Sequence, residues 1–146
     1  MIRRYGEAVV AGQRYQHRPG IYAVLPRGDQ VLLTYQGDPH FELQLPGGGI
    51  DPGETPLEAL HREVFEETGW RIGRAQRLGA YRRFVYMPEY DMWAEKLCHI
   101  YCAWPVRAYG PPSEEGHVAV WMSPLDAATK LHNEGDRDFV RGLFGL

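Results

Sequence analysis

The order of elements in this sequence predicts a domain of α/β or α+β class with a mixed β-sheet. Three observations carry that reading. Strand-like runs come first, a strongly capped helix follows a glycine-rich loop, and further strands lead into a second helix. With 146 residues the chain has the size of one domain around one core, and no repeat, low-complexity tract or linker divides residues 1–146. Strand order is not readable at this level.

Residues 21–25 (IYAVL) and 30–36 (QVLLTYQ) are apolar runs of strand composition, joined by the turn-forming Pro26, Arg27, Gly28 and Asp29. Residues 41–45 (FELQL) read as a short third strand entering the glycine loop. The helix that follows is well marked. Thr55 suits the N-cap, Pro56 the first helical position, Glu58 completes a capping box, and Gly69 stops the helix. Leu57, Leu60 and Val64 recur at helical spacing as its buried stripe.

Beyond the helix, residues 77–86 (RLGAYRRFVY) and 96–106 (KLCHIYCAWPV) read as strands flanking a loop at 87–95 (MPEYDMWAE). Residues 117–122 (HVAVWM) are another strand, Ser123 and Pro124 open a second helix, and residues 136–143 form a short terminal one. Cys98 and Cys102, the only cysteines, fall on one face of a strand, too far apart to bridge, and read as small buried apolar residues.

The formal charge of −3 excludes the basic field that holds long nucleic acid, so no stable nucleic-acid complex is expected. A polyanionic small molecule remains compatible if metal ions offset its charge. No stretch reaches transmembrane length. The apolar run after Arg3 and Arg4 is too short for an export signal, so the expected location is the cytoplasm, with no membrane partner.

The chemistry concentrates between residues 45 and 70, LPGGGIDPGETPLEALHREVFEETGW. At about 100° per residue, Glu63, Glu66 and Glu67 share one arc of the helix, with Glu67 at the border of the apolar stripe. Like charges that close raise one another's proton affinity, and a hard divalent cation relieves the repulsion. Ala59 on the same face leaves room for the preceding loop, and Gly47, Gly48 and Gly49 let its backbone approach closely. Arg62 stands at pairing distance from both Glu58 and Glu66. A solvated, ion-paired helix face is the bland alternative, and the glycine-rich turn and Glu54 weigh against it.

Residues 48–70 resemble the signature of the Nudix hydrolases, with Gly48, Glu54, Arg62, Glu63, Val64, Glu66, Glu67 and Gly69 filling each fixed place. Trp70 stands where an aliphatic residue is usual. The resemblance implies an α/β/α sandwich with a mixed sheet, and hydrolysis of a diphosphate linkage in a nucleoside diphosphate derivative with Mg²⁺ or Mn²⁺. It implies Glu63, Glu66 and Glu67 as metal-binding carboxylates, with Gly48 and its neighbours completing the site. Arg62 and Glu54 would hold loop and helix together. The general base is either a box glutamate or a carboxylate from the loop before the last strand. Glu114 and Glu115 are the loop candidates, Glu115 being singled out against a bland surface-loop reading.

Substrate choice is expected in residues 84–96. Phe84, Tyr86, Tyr90 and Trp93 offer flat faces to a nucleobase, and Arg82, Arg83 and Lys96 can meet phosphate. The competing reading is a hairpin whose aromatics pack on the domain or a second subunit. Arg14, His17 and Arg18 are phosphate-facing or simply surface residues, while His99 and His132 show no partner pattern. Tyr86 and Pro88 both stand where family subgroups are told apart, so nucleoside triphosphate, ADP-ribose-like and dinucleoside polyphosphate substrates stay open. The alternatives are a catalytically silent nucleotide-sensing module and an RNA 5′-end pyrophosphohydrolase. The chain is expected as a monomer or homodimer.

Overall fold

The computed structural model describes residues 2–146. Its strands are β1 (Arg3–Gly6), β2 (Gln16–Val24), β3 (Pro26–Arg27), β4 (Gln30–Gln36), β5 (Glu42–Gln44), β6 (Gly47–Gly49), β7 (Trp70–Met87), β8 (Met92–Ala108) and β9 (His117–Met122). The helices are α1 (Pro56–Thr68), α2 (Pro124–Lys130) and α3 (Glu134–Phe144). A five-stranded mixed sheet runs β1-β7-β8-β2-β6, with β1 parallel to β7 and β2 parallel to β8. A four-stranded sheet is built on β4, which pairs antiparallel with β3, β5 and β9.

Two apolar clusters hold the layers together. One joins Ile21, Ala23, Leu25 and Leu32 to Ala59, Leu60 and Val64 of α1. The other joins Val24, Leu33, Tyr81 and Ile100 to Ala127, Leu131 and Val140 of α2, the following turn and α3. Alternate residues of β2 therefore feed opposite clusters, which is how a strand buried on both faces packs between helices. The α/β/α sandwich with a mixed sheet is the fold observed.

Several details differ from the sequence reading. The turn after β2 does not close a β2–β4 hairpin. β3 makes that hairpin with β4, and β2 pairs with β8 and β6 in the other sheet. The glycine loop contains a short strand, β6, and β1 adds an edge strand near the N-terminus. Leu57 is 43% exposed, because it sits in the first turn of α1 and the helix buries residues only from Ala59 onward. The long loop at 87–95 contracts to a single 3₁₀ turn, Pro88–Tyr90, after which Asp91 takes a left-handed conformation (φ 46°) and Met92 pairs with Met87. Both ends of α1 are as expected, with a complete Thr55–Glu58 capping box and a left-handed Gly69. Cys98 and Cys102 are buried free thiols. Among the described residues no helix is long and apolar enough to cross a membrane.

Candidate active site

α1 presents its carboxylates to the glycine strand. β6 is held against β2 by antiparallel pairing of Gly47, Gly48 and Gly49 with Tyr22, Ile21 and Gly20. The Gly47 amide donates to Oε1 of Glu67 at 2.9 Å. A Cβ on Gly48 would lie 2.5 Å from the carboxyl carbon of Glu63, so only glycine leaves that carboxylate its place. At the other end of α1 a Cβ on Gly69 would meet the Gly110 carbonyl at 1.9 Å.

Arg62 ties the pieces together. Its Nε and Nη2 donate to the two oxygens of Glu54 at 2.7 and 2.9 Å, a bidentate pairing. Nη1 donates to Glu63 at 2.9 Å and Glu66 at 3.4 Å, and Nη2 also reaches the Gly49 carbonyl at 3.1 Å. Glu58 is not one of its partners, since that carboxylate is used in the N-terminal cap. The Arg62 hydrogen bonds, then the Asp51 amide, hold the Glu54 carboxyl down to about 2.

Glu67 and Glu63 are poised the opposite way. Burial is the main cause that pushes Glu67 well above the usual carboxylate range, opposed by the Gly47 amide and reinforced by Glu63, Glu114 and Glu66. Glu63 is raised too, again chiefly by burial and against the pull of Arg62. Ligand oxygens of Glu63, Glu66 and Glu114 lie within 4.8 Å of one another, as do ligand atoms of Glu67, Glu114 and His117. This converging, mostly carboxylate set fits a hard divalent cation.

Glu114, not Glu115, is the loop carboxylate brought to this face. The Glu114 amide donates to the Glu66 carbonyl at 2.9 Å, one of the free carbonyls at the end of α1, while Glu115 is exposed and belongs to neither cluster. His117 was missed by the sequence reading. It is 9% exposed, with Nδ1 2.8 Å from Thr34 Oγ1 and Nε2 3.5 Å from Glu67 Oε2, and burial lowers its pKa. A histidine in an alternating strand carries no sequence signal that separates it from a core position. Only the β4–β9 pairing reveals its neighbours.

The expected substrate residues gather elsewhere. Arg83 and Lys96 are cross-strand partners on β7 and β8, and Arg18 of β2 pairs Lys96 on its other side. Arg83 Nε is buried without a hydrogen-bond partner among the described residues. Burial, then Arg83, lowers the Lys96 pKa. Arg82 instead faces Glu95 at 3.6 Å. At the hairpin tip the Tyr86 and Trp93 rings lie 5.3 Å apart, Trp93 and Phe84 each meet Tyr15 edge-on, and Tyr86 O–H donates to Asp91. The Tyr90 ring lies 5.0 Å from the Arg18 guanidinium. His132 pairs with Glu42 at 3.2 Å, and His99 lies 3.5 Å from Arg77.

A family model of the NUDIX domain matches residues 16–143, nearly the whole chain. The chain belongs to the Nudix family. An RNA pyrophosphohydrolase of Helicobacter pylori is 39% identical over 75 residues, covering 48% of this chain and 47% of that protein. A CMP-5′-(N-acetyl-N-hydroxy-3-aminopropyl)phosphonate hydrolase of Streptomyces rubellomurinus is 35% identical over 135 residues, 85% of this chain and 62% of that protein. The chain thus spans from about half to under two thirds of the length of these relatives. A solved Nudix hydrolase from Nitrosomonas europaea superposes with a TM-score of 0.66 at 24% identity, covering 79% of this chain and 78% of that one, a likeness of fold. In this Nudix domain the box glutamates, Arg62 and the glycine strand form one connected site.

Proposed function

We propose that this Nudix domain hydrolyses the diphosphate linkage of a nucleoside diphosphate derivative by attack of water on phosphorus. The observation that carries the proposal is the carboxylate face of α1. Glu67 is buried and Glu63 half-buried beside Glu66 and Glu114, and the single guanidinium of Arg62 offsets only part of their mutual repulsion.

Glu63, Glu66, Glu67 and Glu114 would hold Mg²⁺ or Mn²⁺, with Gly48 backing Glu63. Such ions neutralise phosphate oxygens and make water nucleophilic at neutral pH. The chain's own groups supply the rest. The Gly47 amide fixes one oxygen of Glu67 and leaves the other free. Arg62 clamps the glycine strand and Glu54 to the helix, so the carboxylates stay placed as charge redistributes over the phosphoryl oxygens. Glu67 or Glu114, which belong to the converging clusters as Glu115 does not, takes the proton of the attacking water as the bond from phosphorus to the bridging oxygen breaks and the second phosphate group leaves with that oxygen. Arg83 and Lys96, half-buried cations with no carboxylate within salt-bridge distance among the described residues, meet the phosphates distal to the reacting one. Tyr86, Tyr90 and Trp93 flank the nucleoside, and Arg82 plays a peripheral part. The free buried thiols suit a reducing compartment, and we place the reaction in the cytoplasm.

The test is phosphate or pyrophosphate release from a panel of nucleoside triphosphates, ADP-ribose, dinucleoside polyphosphates, nucleotide sugars and 5′-triphosphorylated RNA, with and without Mg²⁺ or Mn²⁺. The expected outcome is metal-dependent turnover of one class, with kcat falling about 10²–10⁴-fold in Glu67→Gln. Nucleotide binding without turnover on any substrate would turn the reading into a sensor. The pH–rate profiles of Glu67→Gln and Glu114→Gln identify the base, since only its loss removes the ascending limb.

A further inference from the structure

We propose that His117 is a nitrogen ligand in a second cation subsite, formed with Glu67 and Glu114, that prefers Mn²⁺ to Mg²⁺. The inference rests on the metal-dependent reading above and specifies which ion it uses and how.

The carboxylate face divides into two clusters of different chemistry. Glu63, Glu66 and Glu114 offer only oxygen, whereas Glu67, Glu114 and His117 offer two oxygens and an imidazole nitrogen. Glu114 belongs to both, so the two clusters are adjacent. That is how a pair of ions on one diphosphate is arranged.

Hydrogen bonding around Thr34 decides what His117 offers. Thr34 is fully buried on β4, and its single hydroxyl lies 2.8 Å from His117 Nδ1 and 3.3 Å from the Glu67 main-chain carbonyl. That carbonyl is in the last turn of α1, lacks a helical partner and can only accept. The hydroxyl proton therefore goes to the carbonyl, and Thr34 Oγ1 accepts from Nδ1–H. This leaves Nε2 with a lone pair. It points at Oε2 of Glu67 from 3.5 Å, longer than a well-formed hydrogen bond. Oε1 of that glutamate is already taken by the Gly47 amide, so Oε2 is the free oxygen. With Glu67 ionised, two acceptors thus face each other, with both side chains at least nine-tenths buried and no donor between them among the described residues. A cation satisfies both. A ligating histidine with its second N–H bonded to a fixed acceptor is the usual arrangement of a metal-bound imidazole.

Ion preference follows from the ligand types. Mg²⁺ favours oxygen and holds its waters, while imidazole suits first-row transition ions. The mixed cluster thus favours Mn²⁺, and the oxygen-only cluster accepts either ion.

The test is pulsed electron paramagnetic resonance of Mn²⁺ bound to the whole metal-free protein, prepared with natural-abundance and with ¹⁵N-histidine. Nitrogen modulation from Mn²⁺ that changes with the isotope is expected, and it requires no substitution. In His117→Gln the modulation is expected to vanish and one of the two bound Mn²⁺ ions to lose about tenfold or more in affinity, with Mg²⁺ binding unchanged. In Thr34→Val, which leaves Nδ1–H without its acceptor, Mn²⁺ affinity is expected to fall about 10–100-fold. Two bound Mn²⁺ ions with no histidine nitrogen coupling would overturn the role of His117 and leave the carboxylate site standing. A wild-type protein that binds no Mn²⁺ would overturn both.

Discussion

The two regions expected to carry function, the α1–glycine strand site and the β7–β8 hairpin tip, answer to their sequence in different ways. In the first, Arg62 and the Gly47 amide hold the box carboxylates and Glu54 in place. Arg62 alone reaches Glu54, Glu63, Glu66 and the Gly49 carbonyl. In the second, Tyr86, Trp93, Phe84 and Tyr15 spend their faces on one another, and the cation with an unsatisfied donor, Arg83, lies deeper in the sheet. A carboxylate face whose one guanidinium partner leaves negative charge unbalanced is organised for a ligand. A cluster of rings in mutual contact is organised first for packing.

The sharpest way to break that comparison is Arg62→Lys. A lysine keeps the charge but cannot make the fork to Glu54 while also reaching Glu63. Divalent-ion affinity, read by Mn²⁺ titration, is expected to fall about 10–100-fold with secondary structure intact. Unchanged affinity would mean that Glu54 and the loop are ornamental to the site.

Next in size is Trp93→Ala. If the tip stacks a nucleobase, the loss of one stacking face is worth about 1–3 kcal/mol, and KM rises with kcat nearly unchanged. If the ring serves only Tyr86 and Tyr15, melting temperature falls and KM stays. Lys96→Met separates the deeper cations from the tip, because losing a phosphate contact raises KM for triphosphates more than for ADP-ribose.

The legibility of the two regions in sequence follows the same division. The capping box at Thr55 and Glu58, the carboxylate arc and Gly69 are local, set by spacing along one helix, and they were readable residue by residue. The α/β class was readable from the order of runs. What was not readable depends on long-range pairing. Nothing local says that residues 47–49 pair with β2, or that β4 and β9 bring Thr34 and His117 beneath Glu67. Glu114 and Glu115 are adjacent and chemically identical, and only the bond from the Glu114 amide to the Glu66 carbonyl selects between them. At the tip, the left-handed Asp91 shortens what composition suggested was a long loop.

The smallest expected effect is on stability, and it tests the electrostatic contrast directly. Glu67 and Glu63 have folded-state proton affinities raised above their unfolded ones, mainly by burial. The metal-free folded state then binds more protons than the unfolded state from about pH 4.5 upward, so its stability is fully present below that pH and is lost as pH rises through the folded values. His117, whose pKa is lowered, works the other way below about 6.5, where folding resists its protonation. Glu66, Glu114 and the Gly47 amide complete the charged and polar surroundings of Glu67, and all remain in Glu67→Gln. The difference in melting temperature between wild type and that variant therefore isolates Glu67. Metal-free wild type is expected to lose stability relative to Glu67→Gln as pH rises, and about 1 kcal/mol is readable as about 2–4 °C in a domain of this size. Adding Mn²⁺ is expected to cancel the slope in wild type, since the cation binds the ionised carboxylates. A pH-independent difference would mean that Glu67 is ionised at no cost without metal, and the site would then lack the unmet negative charge that distinguishes it from the hairpin.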